Sequence, residues 1–262
     1  MFEHIKDYFR FKRCSNCLQL GKKLTCNNCC LITYCSAECL ESDFDHELEC
    51  QYIQRDATLP DITRLLLRLL LKIHSGSDKC KKIDFKDLSE FHQVDEIEVE
   101  NSYGSLIKLI PENLPPYESY RSLFRKILLN SYSIFGDRDH KLGLSFYQDK
   151  IQNHSCISNA EVTFLKTCLR ISSKTHIRSK YRTTLTIGLF HRTEKYSERK
   201  RKMNEMFGNS CSCQMCTDFE KLKEKMCTYL DTSNSILRKC YMTEIEGQTI
   251  GKSRSYLCSL RL

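Results

Sequence analysis

Proline and glycine are scarce in this sequence, with four and nine copies among 262 residues. That scarcity excludes collagen-like chains and disordered segments rich in either residue. No internal repeat occurs at the periods of solenoid proteins. With this length and an ordinary apolar content, we expect a globular protein of one large domain or two small ones.

A long uninterrupted hydrophobic run is also missing. The most apolar stretch, ITRLLLRLLLKI, is broken every four residues by Arg64, Arg68 and Lys72. It is too short and too charged to span a bilayer, and its spacing predicts a helix with one charged stripe and leucine on its other faces. The charged start MFEHIKDYFRFKRC has no apolar core of a signal peptide, so we expect no membrane association and a place in the cytoplasm or nucleus.

Cysteine, by contrast, is abundant, with seventeen copies. In a reducing compartment, clustered cysteines usually bind metal. A C-x2-C turn places two thiolates on one side of a loop, and i,i+4 spacing places two ligands on one helix face, so four such pairs predict two tetrahedral Zn²⁺ sites. Cys30 is an alternative to Cys29, but only Cys29 completes a C-x2-C pair. The pairs are CSNC (Cys14, Cys17), CNNC (Cys26, Cys29), YCSAEC (Cys35, Cys39) and HELEC (His46, Cys50).

The stretch from Cys14 to Cys50, with its YCSAEC signature, resembles a MYND finger. Phe44 stands where that family usually has tryptophan, and the step from Cys39 to His46 is one residue shorter than usual, but neither change removes a ligand. The resemblance implies a role in protein interaction, often with proline-containing peptides. It also implies interleaved ligation, in which Cys14, Cys17, Cys35 and Cys39 hold one zinc ion while Cys26, Cys29, His46 and Cys50 hold the other.

A third cysteine group lies near the other end. The motif CSCQMC supplies Cys211, Cys213 and Cys216, one ligand short of a tetrahedral site, and Cys156 of the NHSC motif is the candidate for the fourth. With these two motifs the chain resembles the SET-and-MYND (SMYD) family of protein-lysine methyltransferases, where this cysteine joins three post-SET cysteines around a structural zinc. Two alternatives for Cys156 are a nucleophile with His154 as its base and a packed thiol.

The same resemblance identifies candidate contacts to S-adenosylmethionine. Asn130, Asn153 and His154 match family positions that contact this cofactor, although an Asn-His pair before a tight turn also serves to satisfy buried backbone groups. The family's Gly-x-Gly cofactor loop precedes the finger, and no glycine lies among the thirteen residues before Cys14.

Catalytic positions of the family are altered as well. Leu189 aligns with the catalytic tyrosine and has no hydroxyl, while Phe207 and Asn209 replace a channel tyrosine and an aromatic that stacks on the cofactor. We therefore interpret the chain as a divergent, N-terminally truncated SMYD-type protein, a zinc-binding interaction module with a degenerate, non-catalytic SET region. The alternative is an active S-adenosylmethionine-dependent protein-lysine or histone-lysine methyltransferase.

We expect a mixed α+β fold with a MYND-type finger, helices and a partial SET-like β core with a post-SET zinc site. Strands are expected around Glu161 to Ile171 and Thr183 to Leu189, and tail helices from Phe219 to Leu230 and around Ser235 to Met242. The expected regions are the finger at 14–50, a helical insert at 51–115, a degenerate SET-like region at 116–205, the post-SET cluster at 206–216 and a short helical tail at 217–262.

The formal net charge of +8 at first favours nucleic-acid binding, but this value counts every thiol as neutral. Filling three sites removes eleven thiol protons and adds three divalent ions, which lowers the charge to about +3. The basic run RKRK, from Arg199 to Lys202, is interpreted as a solvated helix face rather than a phosphate-binding strip. We therefore expect protein partners and rank nucleic acid last.

Overall fold

The computed structural model describes nine stretches of the chain, and these divide between two compact units. The first unit contains residues 1–150 and 163–170, and the second contains residues 151–162 and 171–262. The expected mixed α+β class is confirmed. The described stretches are 13–21, 24–75, 85–86, 88–135, 141–146, 154–165, 168–174, 185–190 and 194–230.

The first unit begins with a small antiparallel sheet and two short helices. Ser36 caps the first helix by accepting a hydrogen bond from the Cys39 amide, and Asp43 caps the second by accepting one from the His46 amide. Such caps satisfy amides that the first helical turn leaves unpaired, and they fix where each helix begins. The elements are β1 (Leu24–Thr25), β2 (Thr33–Tyr34), α1 (Ala37–Glu41) and α2 (Phe44–Ile53).

Three longer helices supply most of the buried apolar residues of the first unit apart from cysteine. The leucine-rich stretch forms α3 (Asp61–Ser75), as its periodicity predicts, and it buries Leu66 and Leu67 completely. Helix α4 spans Glu96–Leu109 and helix α5 spans Tyr117–Leu129, with a 3-10 turn at Pro111–Asn113 between them. Further side chains with no exposed surface come from these two helices, namely Val99, Leu106, Tyr120, Phe124 and Ile127.

Four further strands form two hairpins. Strands β3 (Ser131–Phe135) and β4 (Lys141–Phe146) pair antiparallel in the first unit. The region expected to form strand around Glu161 to Ile171 contains two paired strands, β5 (Ala160–Leu165) and β6 (Cys168–Ser173). The second hairpin crosses the division of the chain, because residues 163–170 belong to the first unit.

The strand expected from Thr183 to Leu189 is wrong over its described part. Between residues 185 and 190 only Ile187 pairs, through isolated parallel bridges to His154 and to Ala160. The Ile187 carbonyl accepts from the Ser155 amide, and the adjacent carbonyl, that of Thr186, accepts from the Ala160 amide. The segment therefore changes partner after one residue, which prevents a continuous ladder.

The second unit contains helices α6 (Tyr196–Phe207) and α7 (Gln214–Leu230). Helix α6 ends at Gly208, whose φ of 70° is the left-handed conformation that glycine adopts without a steric penalty. Helix α7 begins five residues before the expected start at Phe219. The helix expected around Ser235 to Met242 lies outside the described residues.

The basic run on α6 departs from its interpretation as a fully solvated face. Arg199 is only 3% exposed, and its guanidinium donates a hydrogen bond to the Glu194 carbonyl. Lys200 and Arg201 are exposed, as a solvated face requires. Burial of Arg199 follows from helical periodicity, because it lies four residues before Met203, which is also buried. Among the described helices, none has the length and hydrophobicity needed to cross a bilayer.

Candidate metal centres

The first of three ligand clusters lies in the finger. It joins Cys14, Cys17, Cys35 and Cys39, whose Sγ atoms all lie within 4.8 Å of one another. The Sγ atoms of Cys17 and Cys35 are 3.5 Å apart, and those of Cys35 and Cys39 are 3.6 Å apart. Two thiolates bound tetrahedrally to one Zn²⁺ at about 2.3 Å are separated by about 3.8 Å, so this donor set fits zinc.

The second cluster combines three thiols with one imidazole. Cys26, Cys29, His46 and Cys50 are all buried, and their ligand atoms also lie within 4.8 Å of one another. The Cys26 and Cys50 Sγ atoms are 3.7 Å apart, and Cys29 Sγ is 3.6 Å from His46 Nε2. Helix α2 carries both His46 and Cys50, because i,i+4 spacing places them on one face.

Two left-handed residues shape the loops of the finger. Leu18 and Cys30 directly follow the two C-x2-C pairs and have φ angles of 61° and 56°. Beyond the turn at Cys30 the backbone remains close to the thiol, since the Leu31 amide donates to Cys29 Sγ at 3.5 Å. Cys29 therefore lies in the cluster, while Cys30 is exposed with its Sγ 3.8 Å from the Asn27 carbonyl.

The third cluster lies in the second unit. It contains Cys156 and three cysteines at and before the start of α7, Cys211, Cys213 and Cys216. The Cys156 and Cys216 Sγ atoms are 3.5 Å apart, and both residues are buried. The Cys213 amide donates to Cys211 Sγ at 3.5 Å. Four converging sulfurs make Cys156 part of a metal-type donor set, a setting that the nucleophile and packed-thiol alternatives do not require.

Each cluster contains one thiol whose pKa is lowered. A hydrogen bond from Cys216 lowers the pKa of Cys156 to about 3, against the opposing effect of burial. Burial raises the pKa of Cys26, but hydrogen bonds from the Cys29 amide and His46 outweigh it and lower this pKa to about 6. Burial is likewise outweighed by amide hydrogen bonds at Cys14, whose pKa falls to about 7. Because the thiolate is the form that binds metal, a lowered pKa favours metal binding at that one thiol of each cluster.

The three donor sets are chemically closed. Two sets have four sulfurs and one has three sulfurs and a nitrogen, so none leaves the open fourth position that catalytic zinc sites keep for water or substrate. Soft thiolate ligands in tetrahedral groups favour zinc among the common divalent metals. The three Cys/His clusters fit structural zinc sites.

No protein-family model matches the sequence. It is 26% identical over 226 residues to "Histone-lysine N-methyltransferase SMYD3" of Homo sapiens, covering 79% of this chain and 52% of that protein. It is 26% identical over 234 residues to "N-lysine methyltransferase SMYD2" of Gallus gallus, covering 83% and 53%. It is 27% identical over 249 residues to "SET domain and MYND-type zinc finger protein 6" of Schizosaccharomyces pombe, covering 88% and 49%.

The chain is similar to SMYD-type proteins over most of its length. It spans about half the length of the curated relatives that it matches. The similarity extends well beyond the finger and includes both units of the chain.

The histidine of the NHSC motif, His154, makes contacts through both ring nitrogens. His154 Nδ1 accepts a hydrogen bond from the Leu189 amide at 3.2 Å, which assigns the proton of the neutral ring to Nε2. His154 Nε2 lies 3.4 Å from Cys156 Sγ, and the ring packs edge-on against Phe190. The imidazole thus supports a thiol of the third cluster, while Asn153 lies outside the described residues.

Asn130 is also engaged in local structure. It ends α5, and its side-chain amide donates to the Lys126 carbonyl at 2.8 Å and to the Ser89 carbonyl at 3.2 Å. The amide therefore holds the end of α5 against the segment that contains Ser89. Contacts of this residue with S-adenosylmethionine stay a prediction.

The positions that differ from the catalytic pattern lie in the second unit. Leu189 uses its backbone amide to bind His154, and its half-buried side chain offers no hydroxyl. Phe207 is the last residue of α6, and Asn209 is exposed just after that helix.

A buried carboxylate beside the second cluster was not predicted from the sequence. Glu49 has no exposed surface and accepts hydrogen bonds from Arg64 and Arg68 of α3. Burial alone would raise its pKa, but hydrogen bonds from Arg64 and Arg68, together with the nearby His46 imidazole, hold the pKa well below the usual range. The four-residue spacing of the arginines marks a stripe, but no local pattern identifies Glu49 as its partner.

Proposed function

We propose that this SMYD-type chain is a zinc-binding protein-interaction module with a degenerate SET-like region that does not transfer methyl groups. One observation carries the proposal. Three complete four-ligand sets are assembled, while the family resemblance predicts that Leu189 takes the position of the catalytic tyrosine. Lysine methylation depends on positioning the amine and the cofactor, and a leucine side chain offers no polar group for either.

In this proposal Zn²⁺ acts as a structural element at all three sites. Residues 14–50 form the MYND-type finger, residues 51–115 the helical insert and residues 116–205 the degenerate SET-like region. Residues 206–216 supply the post-SET ligands that join Cys156, and residues 217–262 form the tail. Because thiolate ligands persist where thiols stay reduced, the cytoplasm or nucleus is the proposed location.

The finger is the proposed site of protein interaction. It exposes three leucines, with Leu20 60% exposed, Leu24 42% and Leu40 37%. Exposed apolar side chains on a finger held by metal ligands suit an apolar, extended partner. Proline-containing peptides are extended, and they are the class of partner that the family resemblance implies.

The second candidate function is an active S-adenosylmethionine-dependent lysine methyltransferase. The names of two relatives favour it, since they are described as a histone-lysine and an N-lysine methyltransferase. In that case Asn130, Asn153 and His154 contact the cofactor, and a group other than Leu189 replaces the tyrosine. Tyr196 is a poor replacement, because its hydroxyl is hydrogen-bonded to Glu220.

Methyl transfer from labelled S-adenosylmethionine to histone and non-histone proteins tests the choice. The zinc-loaded protein is expected to show no transfer above background and no heat of cofactor binding in calorimetry. An active SMYD-type methyltransferase assayed in parallel provides the positive control. Robust turnover by the purified chain would overturn the proposal in favour of the enzyme.

A further inference from the structure

His46 has a buried ring nitrogen that lacks a partner. Its Nε2 faces Cys29 in the second cluster, whereas its Nδ1 makes no hydrogen bond within the described part of the chain. The residue is only 5% exposed, so water does not readily supply the missing partner. When Nε2 binds a metal, Nδ1 carries the proton and needs an acceptor, which in metal sites is usually a carboxylate or a carbonyl.

A carboxylate oxygen lies close to this nitrogen. Glu49 Oε1 is 3.7 Å from His46 Nδ1, one helical turn further along α2. That distance slightly exceeds the length of a hydrogen bond. The pair has the composition of the carboxylate–histidine–metal arrangement that orients imidazole ligands.

The same carboxylate also binds the neighbouring helix. Arg64 Nε donates to Glu49 Oε2 at 3.0 Å, and terminal nitrogens of Arg64 and Arg68 each lie 2.5 Å from Oε1. A carboxylate with no exposed surface is costly unless it is paired in this way. Lys72 continues the stripe, with its Nζ 2.6 Å from Asp45 Oδ1. The charged stripe of α3 therefore faces the finger.

We propose that Glu49 is a positioning residue that orients His46 for zinc and thereby couples occupancy of the second cluster to the packing of α3 on the finger. The inference rests on the zinc binding proposed above. Glu49 Oε1 is shared between the imidazole of a metal ligand and two guanidinium groups. Loss of the arginine contacts is therefore expected to weaken the orientation of His46, and loss of zinc from His46 is expected to weaken the contact with α3.

Glu49→Gln tests the first half, because it keeps the side-chain shape and removes the charge. Glu47→Gln is the matched control, since Glu47 lies on the same helix and is exposed. Zinc release from the zinc-loaded protein to a chromophoric chelator is expected to be unchanged in the control. In Glu49→Gln one of three equivalents is expected to leave about 10-fold faster or more.

Alkylation followed by mass spectrometry identifies the site that opens. Cys26, Cys29 and Cys50 are expected to react earlier in Glu49→Gln than in the wild type. The cysteines of the other two clusters are expected to keep their wild-type rates. Faster release that is spread over all three clusters would contradict the proposal, because it would indicate general destabilisation.

His46→Cys separates orientation of the imidazole from simple packing. A thiolate ligand has no second ring nitrogen to orient, so adding Glu49→Gln to this variant is expected to cause no further acceleration. Equal acceleration in both backgrounds would overturn the positioning role.

If either variant fails to fold, nitrogen-proton NMR of the zinc-loaded wild type tests the positioning role directly. The proposal requires a hydrogen-bonded proton on His46 Nδ1, and absence of that proton signal would refute it.

The second half is tested from the helix side. Arg68→Gln removes one donor to Glu49, and it is expected to speed release of the same zinc equivalent about fivefold. Arg121→Gln, which removes a partly exposed ion pair with Glu96 away from the finger, is the control and is expected to leave the rate unchanged. Equal rates for the two variants would refute the coupling.

Failure of this inference is distinguishable from failure of the proposed function. Wild-type protein that holds three zinc ions while Glu49→Gln behaves like Glu47→Gln would refute only the role of Glu49. Wild-type protein that holds no zinc on Cys26, Cys29 and Cys50 would refute zinc binding at the second cluster itself.

Discussion

Cys29 and Cys30 are neighbours in the chain with opposite environments. Cys29 is buried in the second cluster, whereas Cys30 is exposed and has a φ of 56°. The left-handed turn directs the two side chains apart, so only one of them reaches the metal position. A residue other than glycine in this conformation carries a steric cost, which four metal–ligand bonds readily offset.

Serine substitutions are expected to separate these two cysteines. Cys29→Ser removes one of four ligands, so the purified protein should lose one zinc equivalent, measured by elemental analysis or native mass spectrometry. Cys30→Ser should retain three equivalents. Loss of zinc from Cys30→Ser, with retention in Cys29→Ser, would exchange the roles of the two thiols.

Helices α3, α4 and α5 are joined by a chain of buried hydroxyl groups. The Thr63 and Ser102 hydroxyls are 2.8 Å apart, and the Ser102 and Tyr120 hydroxyls are 2.5 Å apart. Thr63, Ser102 and Tyr120 are all almost completely buried. Because each hydroxyl is hydrogen-bonded to the next, this row of hydroxyls sets the rotation of the three helices about their axes at little energetic cost.

The position of each hydroxyl in this hydrogen-bonded row predicts how much stability is lost when that hydroxyl is removed. Ser102→Ala leaves two buried hydroxyls without their shared partner and is expected to lower the free energy of unfolding by about 2 kcal/mol. Tyr120→Phe leaves Ser102 still bonded to Thr63, so about 1 kcal/mol is expected. Urea unfolding of the zinc-loaded proteins measures both values. A larger loss in Tyr120→Phe would show that Ser102 is not the central link.

The two units of the chain differ in how much apolar core supports their metal clusters. The first unit combines two clusters with a helical core that includes Leu66, Leu106 and Phe124, none of which has exposed surface. Among the described residues of the second unit, the buried apolar side chains apart from cysteine are Ala160, Ile187 and Met203. We therefore expect the described part of the second unit to depend more strongly on metal binding, as small cores generally do.

Zinc removal is therefore expected to act unevenly. A strong chelator should unfold residues 14–50 and the segment around the third cluster, while α3, α4 and α5 keep part of their helical signal in circular dichroism. Hydrogen exchange with mass spectrometry should show retained protection only in residues 61–75, 96–109 and 117–129. Full protection everywhere after complete metal removal would show that zinc does not support the fold.

Much of the metal chemistry and some of the fold were predictable from local spacing. The eight finger ligands fall in C-x2-C and i,i+4 pairs that are determined over one turn of chain, whereas the grouping of these pairs and the addition of Cys156 to the third cluster followed from the family resemblance. Helix α3 was equally predictable, because its leucines recur with helical periodicity. These features depend on residues a few positions apart, which a linear pattern records directly.

Contacts between distant residues arise from packing and leave no such pattern. Glu49 meets Arg64 and Arg68 only because α2 and α3 pack together, and the sequence alone presents those arginines as an unpaired charged stripe. The strand expected to end at Leu189 makes only isolated bridges at Ile187. Its partners there, His154 and Ala160, lie far from it in the sequence, so the local pattern does not reveal this pairing. Short-range geometry thus specifies ligands and helices, whereas the partner of a buried charge depends on which elements the folded chain brings into contact.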